Sequence, residues 1–175
     1  TLDDLKGLKI RVASRSAAAV VTAYGATPVQ MPATKVYTSM STGVVDGALM
    51  GVDSLLIFKL IEPSKYVTIG LPEMPTTIFM VMNEAAYGEL SPKNRAALDG
   101  LTGLGISLRS AAGLAKFGEI ALAKFRKIPG KVVIELSGAA RAAFDSRAAA
   151  AVTGVLKELD GKGLSASKVI DAMKN

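Results

Sequence analysis

Asp4-Leu5-Lys6-Gly7-Leu8-Lys9-Ile10-Arg11-Val12-Ala13-Ser14 is the stretch from which the fold is read. Leu8, Ile10 and Val12 alternate with Lys9, Arg11 and Ala13, the period-two pattern of a strand with one apolar face. The strand runs directly into Ser14-Arg15-Ser16 and an alanine-valine segment with helical character. Arg11 therefore falls near the carboxyl end of a strand, where open α/β sheets bind their ligands. A guanidinium at that place is a fork that matches a carboxylate.

Outward from this strand, the chain alternates short strands with short helices, as parallel βαβ units do. Ala17 to Tyr24 read as a helix capped by Ser14 or Ser16 and ended by Gly25. Thr27 to Met31 read as a second strand stopped by Pro32, Lys35 to Met40 as a helix closed by Gly43, and residues 44–48 as a third strand or turn. Residues 54–61 are expected to be helical and Lys65 to Ile69 a strand. Thr76 to Met82, apolar on both faces, has the look of a strand inside a covered sheet. Asn83 to Leu90 follow as a short helix, and Ser91-Pro92 opens another, with Ser as cap and Pro at the first helical position. The helical pattern then runs to about Lys127 with a break near Gly103 to Gly105. Lys131 to Leu136 are the last strand. Phe144, Ala148, Val152, Val155 and Leu159 recur at helical spacing as a core-facing stripe, and a terminal helix begins at Ser165 or Ser167.

Composition narrows the chemistry. Half of the 175 residues are apolar, which supports a substantial core and argues against disorder. There is no cysteine and no histidine, so thiol nucleophiles, Ser-His triads and the usual zinc sites are excluded. No residue pair offers a nucleophile with a positioned base, so an enzyme is not expected, nor is a metal or cofactor. The net charge of +6 is spread along the chain, and aromatics are 5% of it. That is too sparse for a nucleic-acid stacking platform, and the charge is read as solubility and anion attraction. No run of apolar residues is long enough for a transmembrane helix, and no signal peptide is visible.

Four stretches, taken in order, resemble the solute-binding proteins of tripartite ATP-independent periplasmic (TRAP) transporters, the DctP-type organic-acid receptors. They are residues 4–12; residues 25–32 leading into Val36-Tyr37-Thr38; Thr42-Gly43-Val44-Val45-Asp46-Gly47-Ala48; and Met82-Asn83-Glu84-Ala85-Ala86-Tyr87. The resemblance implies two α/β lobes around a ligand cleft, with residues 1–175 the C-terminal portion. An N-terminal lobe of about 100 to 150 residues, a small domain, is expected to be missing. The expected fold is α/β, a periplasmic-binding-protein-like lobe with a mixed, mainly parallel sheet flanked by helices, plus long C-terminal helices. Residues 8–75 are expected to form the ligand-binding lobe core, 76–136 a crossover strand and long helix, and 137–175 the C-terminal helices.

The same resemblance implies an extracytoplasmic, periplasmic receptor that hands a small organic acid to a membrane permease. Arg11 matches the arginine that pairs with the ligand's carboxylate in that family. The alternatives for it are a solvated strand face or an internal pair with Asp46 or Asp53. Ser14, Arg15 and Ser16 sit at a strand-to-helix turn whose free N–H groups suit an anion, although ordinary helix capping is favoured. Asp46 reads as a turn aspartate with Gly47 supplying an unusual backbone angle; the family motif suggests a cleft-lining position. Met50 stands where relatives carry a ligand-binding asparagine, and Val52 near where others carry an aromatic. The loss of that second polar anchor points to a monocarboxylate with an apolar or aromatic body. Phe79 is a further pocket candidate, with a core role in its apolar run favoured. The competing reading is a non-binding structural or oligomerising module, with an unpaired sheet edge driving homodimer formation.

Overall fold

The computed structural model describes residues 1–72 and 78–173. The opening stretch folds as read: a 3-10 turn, Asp3–Leu5, leads into strand β1, Lys9–Val12, and helix α1, Arg15–Ala23. Gly25, at φ +92°, ends α1 in the left-handed conformation that glycine adopts without penalty. Strand β2, Thr27–Gln30, then pairs in parallel with β1, Lys9 opposite Thr27 and Arg11 opposite Val29. Pro32 stops β2, and a 3-10 turn, Ala33–Lys35, feeds helix α2, Val36–Ser41, closed by Gly43 at φ +72°. Strand β3 is only Gly47–Ala48 and lies parallel to β1 on its other side, giving the order β2-β1-β3.

Helix α3 spans Ser54–Ile57, shorter than the helix expected over 54–61. The chain turns at Lys59, which sits at φ +56°, so the helical hydrogen-bond ladder cannot continue toward Pro63. Strand β4, Tyr66–Ile69, pairs in parallel with the distant strand β5, Val132–Glu135, as a second sheet. Every strand pairing among the described residues is parallel.

The C-terminal half is helical. Helix α4, Glu84–Gly88, is capped by Asn83, whose Oδ1 accepts from the Ala85 and Ala86 N–H groups. Helix α5, Pro92–Asp99, starts as its sequence requires: the Ser91 hydroxyl accepts from Asn94 N–H and Pro92 occupies the first turn. Gly103, at φ +78°, separates it from helix α6, Leu104–Arg126, so the break lies where the glycines put it. Helix α7, Gly138–Gly161, and helix α8, Ala166–Met173, complete the chain.

Three apolar clusters hold these elements, one of which, Val12, Val21 and Ala26, packs β1 against α1. Val36, Leu55, Leu60, Ile61, Ala121 and Phe125 pack α2, α3 and the end of α6 together. Val20, Tyr24, Phe144 and Ala148 join α1 to α7, with the Tyr24 and Phe144 rings edge-to-face at 4.9 Å. Such an aromatic pair is worth about 0.5–1.5 kcal/mol beyond its buried area. The α7 stripe is buried at Phe144 and Ala148 and exposed by Val152.

One expected strand is not there. Thr76 and Thr77 lie outside the described residues. Ile78 to Met82 form no strand, and their side chains are 49–96% exposed. A strand apolar on both faces needs a ladder partner and cover on both sides, and no described element supplies either. Phe79, 76% exposed, is accordingly not a core residue.

Candidate functional site

The candidate site lies at the carboxyl ends of β1, β2 and β3. Parallel pairing places Arg11 level with Val29 and Ala48, so the three project from one face of the sheet. Ile10 and Val12 project from the other, toward α1. Arg11 is 4% exposed. Its Nε donates to the Met31 carbonyl at 3.0 Å, which fixes the guanidinium plane against the chain that leaves β2. No carboxylate among the described residues pairs with it. Burial pulls the guanidinium down from its ordinary pKa, yet an arginine keeps its proton at neutral pH. The result is a buried, oriented cation whose two Nη groups carry no protein partner among the described residues.

The other candidates divide. Met50 follows β3 and packs, half-buried, with Ala48 against the Val36–Phe125 cluster, so the surroundings on that side are apolar. Ser14 is spent as the α1 cap, its Oγ accepting from Ala17 N–H at 3.2 Å and lying 3.0 Å from Ser16 Oγ. Arg15 is exposed on the first turn of α1, near enough to α7 to help hold the Glu158 carboxyl below its ordinary range, an effect dominated by the Lys162 hydrogen bond. Phe79 projects into solvent.

Asp46 sits at the opposite end of the strands from Met31. Its Oδ2 accepts from Lys9 N–H at 2.8 Å, and its own N–H donates to the Lys9 carbonyl at 2.8 Å. Both bonds clamp β3 to the amino end of β1, and neither Asp46 nor Asp53 reaches Arg11. The Gly47 expectation is also corrected: it is not among the positive-φ glycines. A Cβ there would lie 3.2 Å from Ile10 Cδ1, so a side chain at this position requires that methyl group to shift. Sequence reasoning missed the Met31 carbonyl, since backbone acceptors carry no side-chain signature; only Pro32, which ends β2 there, marks the position.

A cavity of about 400 Å³ lies between the two sheets, and Arg11 is not among the residues that line it. No group of three or more acidic residues suited to a metal exists among the described residues. No described helix is long and apolar enough to cross a membrane.

Comparison with known proteins agrees with this architecture. Residues 1–158 match the family model DctP, bacterial extracellular solute-binding protein, family 7. A solute-binding protein of Albidiferax ferrireducens is 31% identical over 138 residues, 77% of this chain and 40% of the relative. The 2,3-diketo-L-gulonate-binding periplasmic protein YiaO of Escherichia coli is 32% identical over 96 residues, 54% of this chain and 29% of the relative. Among solved structures, a marine metagenome TRAP solute-binding protein specific for aromatic acid ligands superposes with a TM-score of 0.84 at 24% identity, covering 98% of this chain and 54% of that one. A TRAP receptor of Bordetella bronchiseptica with bound (R)- and (S)-mandelate gives 0.69 at 29% identity, covering 96% and 53%. The chain thus spans about half the length of the solved structures it matches, and less of the curated relatives. Parallel βαβ units, a buried arginine at their carboxyl ends and a match over residues 1–158 lead to one assignment: the chain belongs to the DctP family of bacterial extracellular solute-binding proteins.

Proposed function

We propose that this chain supplies one wall of a TRAP receptor's ligand site, in which Arg11 holds the carboxylate of a small organic acid. The observation that carries the reading is the state of Arg11: buried, oriented by the Met31 carbonyl, and without a protein carboxylate. An uncompensated charge that is partly withdrawn from water is costly. A ligand carboxylate offsets that cost with charge-assisted hydrogen bonds to the free Nη pair. Because Nε is occupied, the acid meets the guanidinium end-on.

Ala48 and Met50 give the neighbourhood no second polar anchor. This favours a monocarboxylate with an apolar or aromatic body over a dicarboxylate. Ligands of the matched structures include 3-hydroxybenzoate and mandelate, which suit that chemistry. The acid would be captured outside the cytoplasm and passed to a membrane permease, with closure of two lobes burying it.

Calorimetric titration of the complete gene product with benzoate, 3-hydroxybenzoate and mandelate tests the reading, with benzamide as the uncharged control. Binding of at least one acid and none of benzamide is expected. Acid binding that survives Arg11→Met, or no binding of any of the acids, overturns it.

A further inference from the structure

Arg11 is held by a backbone carbonyl, and the chain around that carbonyl restricts how it can turn. Met31 follows β2 in the same register: its N–H donates to the Val12 carbonyl at 3.4 Å. One step further along, a parallel ladder would bring the Ser14 amide to the Met31 carbonyl. β1 has already ended at Val12, and Ser14 caps α1. The Met31 carbonyl is thereby left to Arg11 Nε, which donates to it at 3.0 Å. The next residue is Pro32, at φ −58° and ψ 147°, inside the narrow φ window its ring allows. Turning a peptide plane in place takes opposite changes of ψ on one side and φ on the other. The ring blocks the second at Pro32, and its Cδ disfavours the helical region for Met31. The Pro32 carbonyl is held as well, accepting from Lys35 N–H at 3.1 Å.

We infer that Pro32 is a positioning residue of the acid site: by locking the Met31 peptide, it holds the Arg11 guanidinium in the plane at which its two Nη groups meet a carboxylate. The inference rests on the receptor reading above and adds to it the support of its one charged group. Pro32 is exposed and belongs to none of the three apolar clusters, so what its ring supplies is conformational rather than packing. The apparent affinity of a site is its intrinsic affinity scaled by the fraction of molecules that hold the competent geometry. Among the described residues the guanidinium has a single hydrogen bond to set that geometry. A carbonyl free to rotate would release Nε for part of the time and let the fork turn away from the acid, and binding would then have to order it again.

The test is proton exchange at the Arg11 Nε–H, followed by nitrogen NMR on the complete gene product without acid, in the parent and in Pro32→Ala. Arg15, exposed on the first turn of α1, is the reference. In the parent, the Arg11 Nε–H is expected to exchange at least about tenfold more slowly than that of Arg15, and Pro32→Ala to remove most of the difference. Calorimetry with 3-hydroxybenzoate is expected to show affinity weakened about threefold or more in the variant, the size of effect that freeing one backbone residue produces. A ring with a merely structural role would lower the unfolding midpoint and leave both readouts unmoved, which overturns the inference. Faster exchange with unchanged affinity overturns it too. So does a parent Arg11 Nε–H that exchanges as fast as that of Arg15, a result that needs no variant. A parent that binds no acid while Pro32→Ala speeds the exchange counts against the carboxylate assignment and leaves Pro32 as the anchor of Arg11. Acid binding with equal exchange in both proteins counts against Pro32 alone.

Discussion

Replacing Arg11 by methionine separates a ligand-binding arginine from a structural one. The side chain is 4% exposed and makes one protein hydrogen bond, Nε to the Met31 carbonyl at 3.0 Å. Losing that bond, with a charged donor, costs about 1.5–3 kcal/mol. Against it stands the partial desolvation of the guanidinium, about 3–4 kcal/mol for an ion that no carboxylate compensates and whose Nη groups still reach solvent. Methionine fills the space with a flexible apolar chain, and Met31 is itself half-exposed, so water can reach its carbonyl. The balance favours the variant by about 1–2 kcal/mol in the absence of ligand. For a chain of this size that is a rise in midpoint of about 2–8 °C. Thermal and urea unfolding of both proteins, followed by far-ultraviolet circular dichroism, measures it. With a bound acid at about a hundredfold its dissociation constant, the parent gains about 2.7 kcal/mol and the variant nothing, so the order of stability reverses. A ligand-free variant less stable by about 3 kcal/mol, the usual cost of breaking a buried ion pair, would falsify the reasoning.

Ser14→Ala removes the α1 cap and is expected to lower stability by about 1 kcal/mol without changing acid affinity; a tenfold affinity loss in calorimetry makes Ser14 a ligand contact instead. Asp46→Asn weakens the bond to Lys9 N–H and is expected to cost about 1 kcal/mol in urea unfolding, again with affinity unchanged. Burial pushes the Tyr24 hydroxyl up to about 12, with the Asp145 charge adding to the effect. A group whose pKa is raised on folding contributes stability in full below its unfolded value near 10, and that contribution is lost as pH climbs toward 12. Unfolding free energy is therefore expected to fall across pH 10–12, and Tyr24→Phe to flatten that part of the profile. An unchanged slope in the variant refutes the assignment. The same variant also removes a buried hydroxyl that has no hydrogen-bond partner, so it is expected to be at least as stable as the parent at neutral pH.

What could be read from the sequence follows from where the physical information resides. The alternation in residues 8–12, the cap at Ser14, the stops at Gly25 and Pro32, and Ser91-Pro92 before α5 are local signals, and each element formed where its signal stood. Arg11 was readable as a ligand candidate because strand polarity puts it near a carboxyl end. Its lack of a partner was not, since Asp46 lies only one strand away and its bond to Lys9 N–H is a matter of register. Gly47 illustrates the same limit: the Asp-Gly pair has the chemistry of a turn, while in the structure it lies in β3 without a positive φ and close to Ile10. Ile78 to Met82 carry the composition of a central strand, and composition specifies a need for neighbours without supplying them. The pairing of β4 with β5 crosses more than sixty residues, a distance over which no periodicity speaks.

The most direct measurement is the affinity of the complete gene product for 3-hydroxybenzoate, by isothermal titration, in the parent, Arg11→Lys and Arg11→Met. Lysine keeps the charge and loses the planar fork, so affinity is expected to drop at least about tenfold with lysine and below detection with methionine. Equal affinity across the three proteins contradicts a carboxylate held by Arg11.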